Sequence, residues 1–219
     1  MIDTIIFDMD GVLVDSEYTF LGSKTEILND EGYDKDESYQ YQFMGTTADF
    51  MWQTMKDELG LTRSVPEYIE EMNQRREVII ARDGVRAIAH VQEFVKKLAA
   101  AGFKLGVASS SRKAEIEFNL AELGLRDYFS VLVSAEEVEH SKPAPDVFLR
   151  AAELLASAPE NCLVFEDTRN GSKAAKAAKM YCIGFANPDY PIQKLVADEI
   201  IQDFRELAVE HLKERNVSE

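Results

Sequence analysis

The sequence predicts an α/β fold: a parallel sheet with helices on both faces, interrupted near its start by a small all-helical insertion. Three observations predict it. Short apolar runs rich in β-branched residues recur along the chain, as strands buried on both faces do. Segments with apolar residues at helical spacing alternate with them, the pattern of strand–helix–strand units. The alternation fails only over residues 16–82, which hold no convincing strand.

The runs are Thr4–Phe7, Leu105–Ala108, Val131–Val133, Cys162–Phe165 and Tyr181–Phe185, with Glu199–Ile201 as a sixth. Between them, Ile88, Val91, Phe94, Val95 and Leu98 recur at helical spacing before a stop at Gly102. Ile116, Leu120 and Leu123 repeat that pattern before Gly124, and Phe148, Ala151, Ala152 and Leu155 follow Asp146 and Pro145. An Ala/Lys helix over residues 172–179 and a C-terminal helix from Asp203 to about Arg215 complete the set. Residues 1–15 and 83–219 then form the core domain. Residues 16–82 form a helical cap broken near Gly32, Gly45, Gly60 and Pro66.

At 219 residues the chain is long enough for one large domain carrying a small inserted one. Its net charge of −16 repels nucleic acid and anionic membranes, so neither is an expected partner. That field also opposes phosphorylated ligands at long range, so a phosphate site must be local, built from a few cations and backbone N–H groups. Cys162 and Cys182 both sit in apolar runs and read as buried thiols in a reducing compartment. With no signal-like or membrane-length segment, the cytoplasm is the expected location.

In an open parallel sheet, ligands bind beyond the carboxyl ends of the strands. The residues following four runs are Asp8 and Asp10, Ser109, Lys142 after a short loop, and Glu166 with Asp167. All fall on the same sheet edge. Carboxylates, a hydroxyl and an ammonium make a poor core and a good site for a phosphate with Mg²⁺, which prefers oxygen ligands and is held by one or two carboxylates. Taken singly, each residue has a plain reading. Asp8 and Asp10 suit a turn, Ser109 is an ordinary turn serine, Lys142 a surface lysine, and Glu166-Asp167 an acidic helix start. Together, at four strand ends, they read as a site.

Asp8-Met9-Asp10-Gly11-Val12, Ser109, Lys142-Pro143 and Glu166-Asp167 resemble, in order, the four motifs of the haloacid dehalogenase superfamily. Phe7–Leu13 and Ser141–Asp146 are similar to the β-phosphoglucomutase-like subgroup, whose core is a Rossmann-like sheet with a helical cap between the first two motifs. The resemblance implies that Asp8 is the nucleophile, forming an aspartyl-phosphate, and that Asp10 is the general acid and base. It implies that Ser109 and the backbone N–H groups of Ser110 and its neighbours bind the phosphoryl group, and that Lys142 offsets its charge. Asp8, Asp167, Glu166 and the backbone carbonyl of Asp10 would hold Mg²⁺. Gly45-Thr46-Thr47 resembles the cap loop that faces the substrate.

The mutases of that subgroup carry a histidine after the first motif, and a lysine and an arginine around the cap glycine. This chain has Phe20, Met44 and Ala48 there, and no replacing cation is expected nearby. Hydrolysis of a small phosphorylated metabolite is therefore expected, by a monomer or weak dimer. The alternatives are a phosphosugar mutase, a metal-independent dehalogenase, or a non-catalytic binding module. His90 and His211 read as helix residues, His140 as a neighbour of Lys142, and Trp52 as cap core.

Overall fold

The computed structural model describes residues 1–44, 46–191 and 194–215 and divides into two compact units. One comprises Met1–Asp15 and the chain from Val85 onward; the other is Ser16–Gly84. In chain order the elements are β1 (Thr4–Phe7), α1 (Glu17–Asp30), α2 (Ala48–Leu59), α3 (Val65–Asp83), α4 (Val91–Ala100), β2 (Lys104–Ser109), α5 (Lys113–Glu122), β3 (Val131–Ser134), α6 (Asp146–Leu154), β4 (Cys162–Glu166), α7 (Arg169–Ala177), β5 (Tyr181–Phe185) and β6 (Glu199–Ile201).

The larger unit is a Rossmann-like sheet of six parallel strands in the order β3-β2-β1-β4-β5-β6. From β1 the chain builds outward through β2 to β3, then returns to lay β4 on the other side of β1. The carboxyl end of β1 is thus the topological switch point, where the connections on either side diverge and leave a crevice.

Side-chain alternation explains how the sheet is covered twice. Ile5, Phe7, Leu105, Val107, Leu163, Phe165 and Ile183 pack in one cluster with Val91, Val95 and Leu98 of α4 and Ile116 and Leu120 of α5. Ile6, Ala108, Val133, Val164 and Cys182 pack in a second with Phe148 and Ala151 of α6 and Ala174 of α7. Phe165 anchors the first cluster: it stacks on Phe7 at 4.9 Å between ring centroids and meets Phe94 edge-on at 5.6 Å. Such ring pairs add about 0.5–1.5 kcal/mol each beyond their area burial.

Two expectations are corrected here. The C-terminal segment is not one α-helix. It forms two short 3₁₀ turns, Phe204–Glu206 and Val209–Glu214, with Leu207 extended between them. Asp203 caps the first turn locally, while Phe204, Leu207 and Leu212 each dock separately on the first cluster. Tertiary docking overrides a helical pattern only a few turns long. His90 is also not a helix residue: it is the left-handed cap (φ 64°) before α4, and its Nδ1 lies 3.1 Å from Asp203 Oδ2.

The smaller unit is helical, with a 3₁₀ segment at Glu37–Phe43 between α1 and α2. The break expected near Pro66 falls between α2 and α3, and Pro66 is the second residue of α3. It lies in the first turn, where its missing N–H is not needed, and Glu67 reaches back to accept from the backbone N–H of Ser64 at 2.8 Å. Trp52 is fully buried and stacks on Tyr68 at 4.8 Å, so it belongs to this unit's core. A network on the outside joins Arg63 to Glu31 and Glu71, and Arg75 to Glu71 and Asp30. No described helix is long and apolar enough to cross a membrane.

Candidate active site

The ends of β1, β2 and β4 and the segment before α6 bring the predicted groups together. Asp8 follows β1 directly, and its backbone N–H donates to Phe165 O at 2.9 Å, which extends the β1–β4 ladder by one residue. Lys142 Nζ donates to Asp8 Oδ1 at 2.5 Å, to Glu166 Oε1 at 2.8 Å and to Ala108 O at 3.2 Å. The same ammonium lies 4.7 Å from the ring centroid of Phe148 in α6. Lys142 is therefore no surface lysine: its side chain is 6% exposed.

Glu166 is fixed on its other side as well. Its Oε2 accepts from the backbone N–H of Thr168 at 2.8 Å and from Thr168 Oγ1 at 2.9 Å. Thr168 in turn caps α7 through Gly171 N–H. A Cβ on Gly171 would come within 1.6 Å of Glu166 Oε1, so only glycine lets the first turn of α7 pack onto this carboxylate. Asp167 lies against the loop after β1 in a similar way: a Cβ on Gly11 (φ 77°) would sit 2.0 Å from its Oδ2. One carboxylate oxygen each from Asp8, Glu166 and Asp167 lie within 4.8 Å of one another.

Burial is the main force pushing the Asp8 carboxyl up to about 7; Lys142 opposes it, and the Glu166 and Asp10 charges add to it. Burial alone would lower the Lys142 ammonium, but attraction to Asp8 and Glu166 outweighs that and holds it above the usual lysine range. One ammonium thus faces a surplus of carboxylates. A hard divalent cation is the natural complement of that surplus, and three carboxylates are the donors such a cation takes.

Asp10 faces a different neighbour. Its Oδ2 accepts from Ser111 Oγ at 2.6 Å, and its carboxylate is not part of the three-carboxylate group. Ser109 is buried at the end of β2, and its Oγ accepts from the backbone N–H of Ser111 at 3.0 Å. Ser110 is exposed in the turn between them. Sequence reasoning assigned no side-chain role to Ser111, Ser134 or Thr168. A signal existed for each: Ser111 closes the Ser109-Ser110-Ser111 triplet, Ser134 ends an apolar run, and Thr168 follows the acidic pair. His140 bonds Asp146 through its backbone N–H and its Nδ1, at 3.2 and 3.0 Å.

In the helical unit, Thr46 Oγ1 donates to Phe43 O, and Thr47 Oγ1 caps α2 by accepting from Phe50 N–H. Gly45 lies outside the described residues. Within this unit Phe20 has a cation beside it: the Arg76 guanidinium lies 3.4 Å from its ring centroid. Arg76 sits in α3, far from Phe20 in sequence, so only helix packing joins them.

Comparison with known proteins places this geometry. The family profile described as haloacid dehalogenase-like hydrolase matches residues 5–185. The Escherichia coli fructose-1-phosphate phosphatase YqaB is 33% identical over 178 residues, covering 80% of this chain and 92% of that protein. The E. coli hexitol phosphatase B is 31% identical over 188 residues, covering 84% and 83%. A haloacid dehalogenase family hydrolase from Deinococcus radiodurans, solved with bound phosphate and sodium, superposes with a TM-score of 0.83 at 26% identity, covering 97% of this chain and 96% of that one. The chain belongs to the haloacid dehalogenase superfamily, as a phosphatase-type hydrolase of the β-phosphoglucomutase-like subgroup.

Proposed function

We propose that this enzyme hydrolyses the phosphate monoester of a small metabolite, a sugar phosphate or similar, through an aspartyl-phosphate on Asp8, with Mg²⁺ as cofactor. The observation that carries this reading is the buried Asp8 carboxylate held by Lys142 beside Glu166 and Asp167. A carboxylate fixed against an ammonium at a strand end is oriented to attack. The E. coli relatives named for fructose 1-phosphate and hexitol phosphates support the sugar-phosphate class.

Asp8 attacks phosphorus, and the bond to the leaving oxygen breaks as that oxygen takes a proton from Asp10. A water then attacks the aspartyl-phosphate, gives its proton to Asp10, and inorganic phosphate leaves Asp8. Ser109 spends an acceptor site on the Ser111 N–H, which leaves its own hydroxyl proton for a phosphoryl oxygen. Lys142 balances charge on Asp8 and on the incoming phosphate. Asp8, Asp167 and the Asp10 backbone carbonyl would hold Mg²⁺, which neutralises phosphoryl charge when bound. Both Glu166 oxygens already accept hydrogen bonds, so we assign Glu166 chiefly to orienting Lys142. The same reading makes the enzyme a cytoplasmic monomer or weak dimer.

The test is a phosphate-release screen over sugar phosphates and nucleotides, with and without EDTA, run beside Asp8→Asn. Release from a sugar phosphate that EDTA and Asp8→Asn each abolish is the expected result. Metal-independent release, or an Asp8→Asn variant near wild-type activity, overturns it. The second reading is a phosphosugar mutase: a structure described as a putative β-phosphoglucomutase from Thermotoga maritima matches this chain with a TM-score of 0.80 at 25% identity. Isomerisation of a sugar phosphate, sustained by a bis-phosphate with little phosphate release, would select that reading.

A further inference from the structure

Three serines at the ends of β2 and β3 form a connected group. Ser109 and Ser134 are register partners on the two neighbouring strands, and both are buried. Ser111 hangs between them: its backbone N–H donates to Ser109 Oγ at 3.0 Å, and its carbonyl accepts from Ser134 Oγ at 2.7 Å. Ser134 is itself anchored, its backbone N–H donating to Glu137 Oε1 at 2.9 Å and its Oγ accepting from Glu136 N–H at 3.1 Å. With both peptide groups of Ser111 held, its side chain has a defined direction. That direction ends on Asp10 Oδ2, at 2.6 Å.

We propose that Ser111 is a positioning residue for Asp10, clamped by Ser109 and Ser134 so that its hydroxyl occupies Oδ2 and leaves Oδ1 to exchange the proton. This rests on the phosphatase reading above. The bond suits both halves of the reaction. A protonated Asp10 donates from Oδ1 to the leaving oxygen while Oδ2 still accepts from Ser111. An ionised Asp10 takes the water proton on Oδ1 with the Ser111 bond unbroken. The hydroxyl therefore fixes which oxygen does the chemistry, in line with the steep dependence of proton transfer on geometry.

A positioning role predicts a dependence on the leaving group that a purely structural role does not. An alkyl phosphate needs its leaving oxygen protonated; p-nitrophenyl phosphate leaves as a stable phenolate and needs little help. We expect Ser111→Ala to lower kcat/KM on the best alkyl phosphate about ten- to a hundredfold and on p-nitrophenyl phosphate less than about threefold. Ser111→Thr, which keeps the hydroxyl, should restore most of the difference. An equal loss on both substrates, or no loss on either, overturns the proposal. If Ser111→Ala does not fold, Ser111→Cys, a weak donor of similar size, is read by the same ratio. Failure of the phosphatase reading looks different: the wild type itself would then show no Asp8-dependent phosphate release.

Discussion

The two units each carry a cluster of carboxylates and cations, and the clusters have little else in common. In the helical unit, Arg63 and Arg75 are 35% and 25% exposed and share Glu31, Glu71 and Asp30. Each charge there has water as an alternative partner, so the network adds little to stability. In the sheet unit, Asp8, Glu166 and Lys142 are 8%, 1% and 6% exposed, and one ammonium serves two carboxylates with Asp167 beside them. Desolvating three charges without balancing them is costly. On the proposed reading a metal ion and a phosphate balance this second group, whereas the first cluster only joins charges of three segments within its own unit.

That contrast can be broken by removing one cation from each cluster. Lys142→Met leaves Asp8 and Glu166 buried without a counter-charge, so urea unfolding in EDTA should show a loss of about 3–5 kcal/mol, together with loss of phosphate release. Next in size, Gly171→Ala forces a methyl group into the space of the Glu166 carboxylate. We expect about 1–3 kcal/mol of destabilisation and a reduced kcat, since Glu166 orients Lys142. A pH series sharpens the comparison further. Asp8 stands at about 7 in the folded protein against 3.8 for the free side chain, so the folded state holds a proton that the unfolded state gives up. Melting temperatures in EDTA should fall as pH rises through that window. Mg²⁺ should flatten the fall, and Asp8→Asn should remove its share of it. Arg75→Met should give the smallest effect, about 1 kcal/mol or less, with activity retained. If Arg75→Met proved as costly as Lys142→Met, exposure would not be what separates the two clusters.

The inner strands were legible because they are buried on both faces. A strand such as Thr4–Phe7 or Tyr181–Phe185 is a continuous apolar run, and the structure bounds both at those residues. Helix starts were less legible. The pattern from Ile88 suggested a helix beginning there, yet His90 turns left-handed and α4 opens at Val91. The C-terminal segment misled because Phe204, Leu207 and Leu212 fit a helical stripe as well as they fit three separate docking points. Among site residues, Asp8, Lys142 and the acidic pair stood out by chemistry and position. Ser111 did not, because a serine in a loop is ordinary until its partners are known.

By itself the sequence determined the alternation of strands and helices and which chemical groups end each strand. Those follow from local periodicity and from the rule that parallel strands present their carboxyl ends to one edge. The tertiary structure alone decided how the groups pair. Lys142 binds Asp8 and Glu166 across long sequence separations, Ser111 reaches Asp10 across two strands, and Arg76 covers Phe20. Hydrogen bonds and ion pairs depend on distances of tenths of an ångström and on exclusion of water, and no local pattern in a chain specifies either.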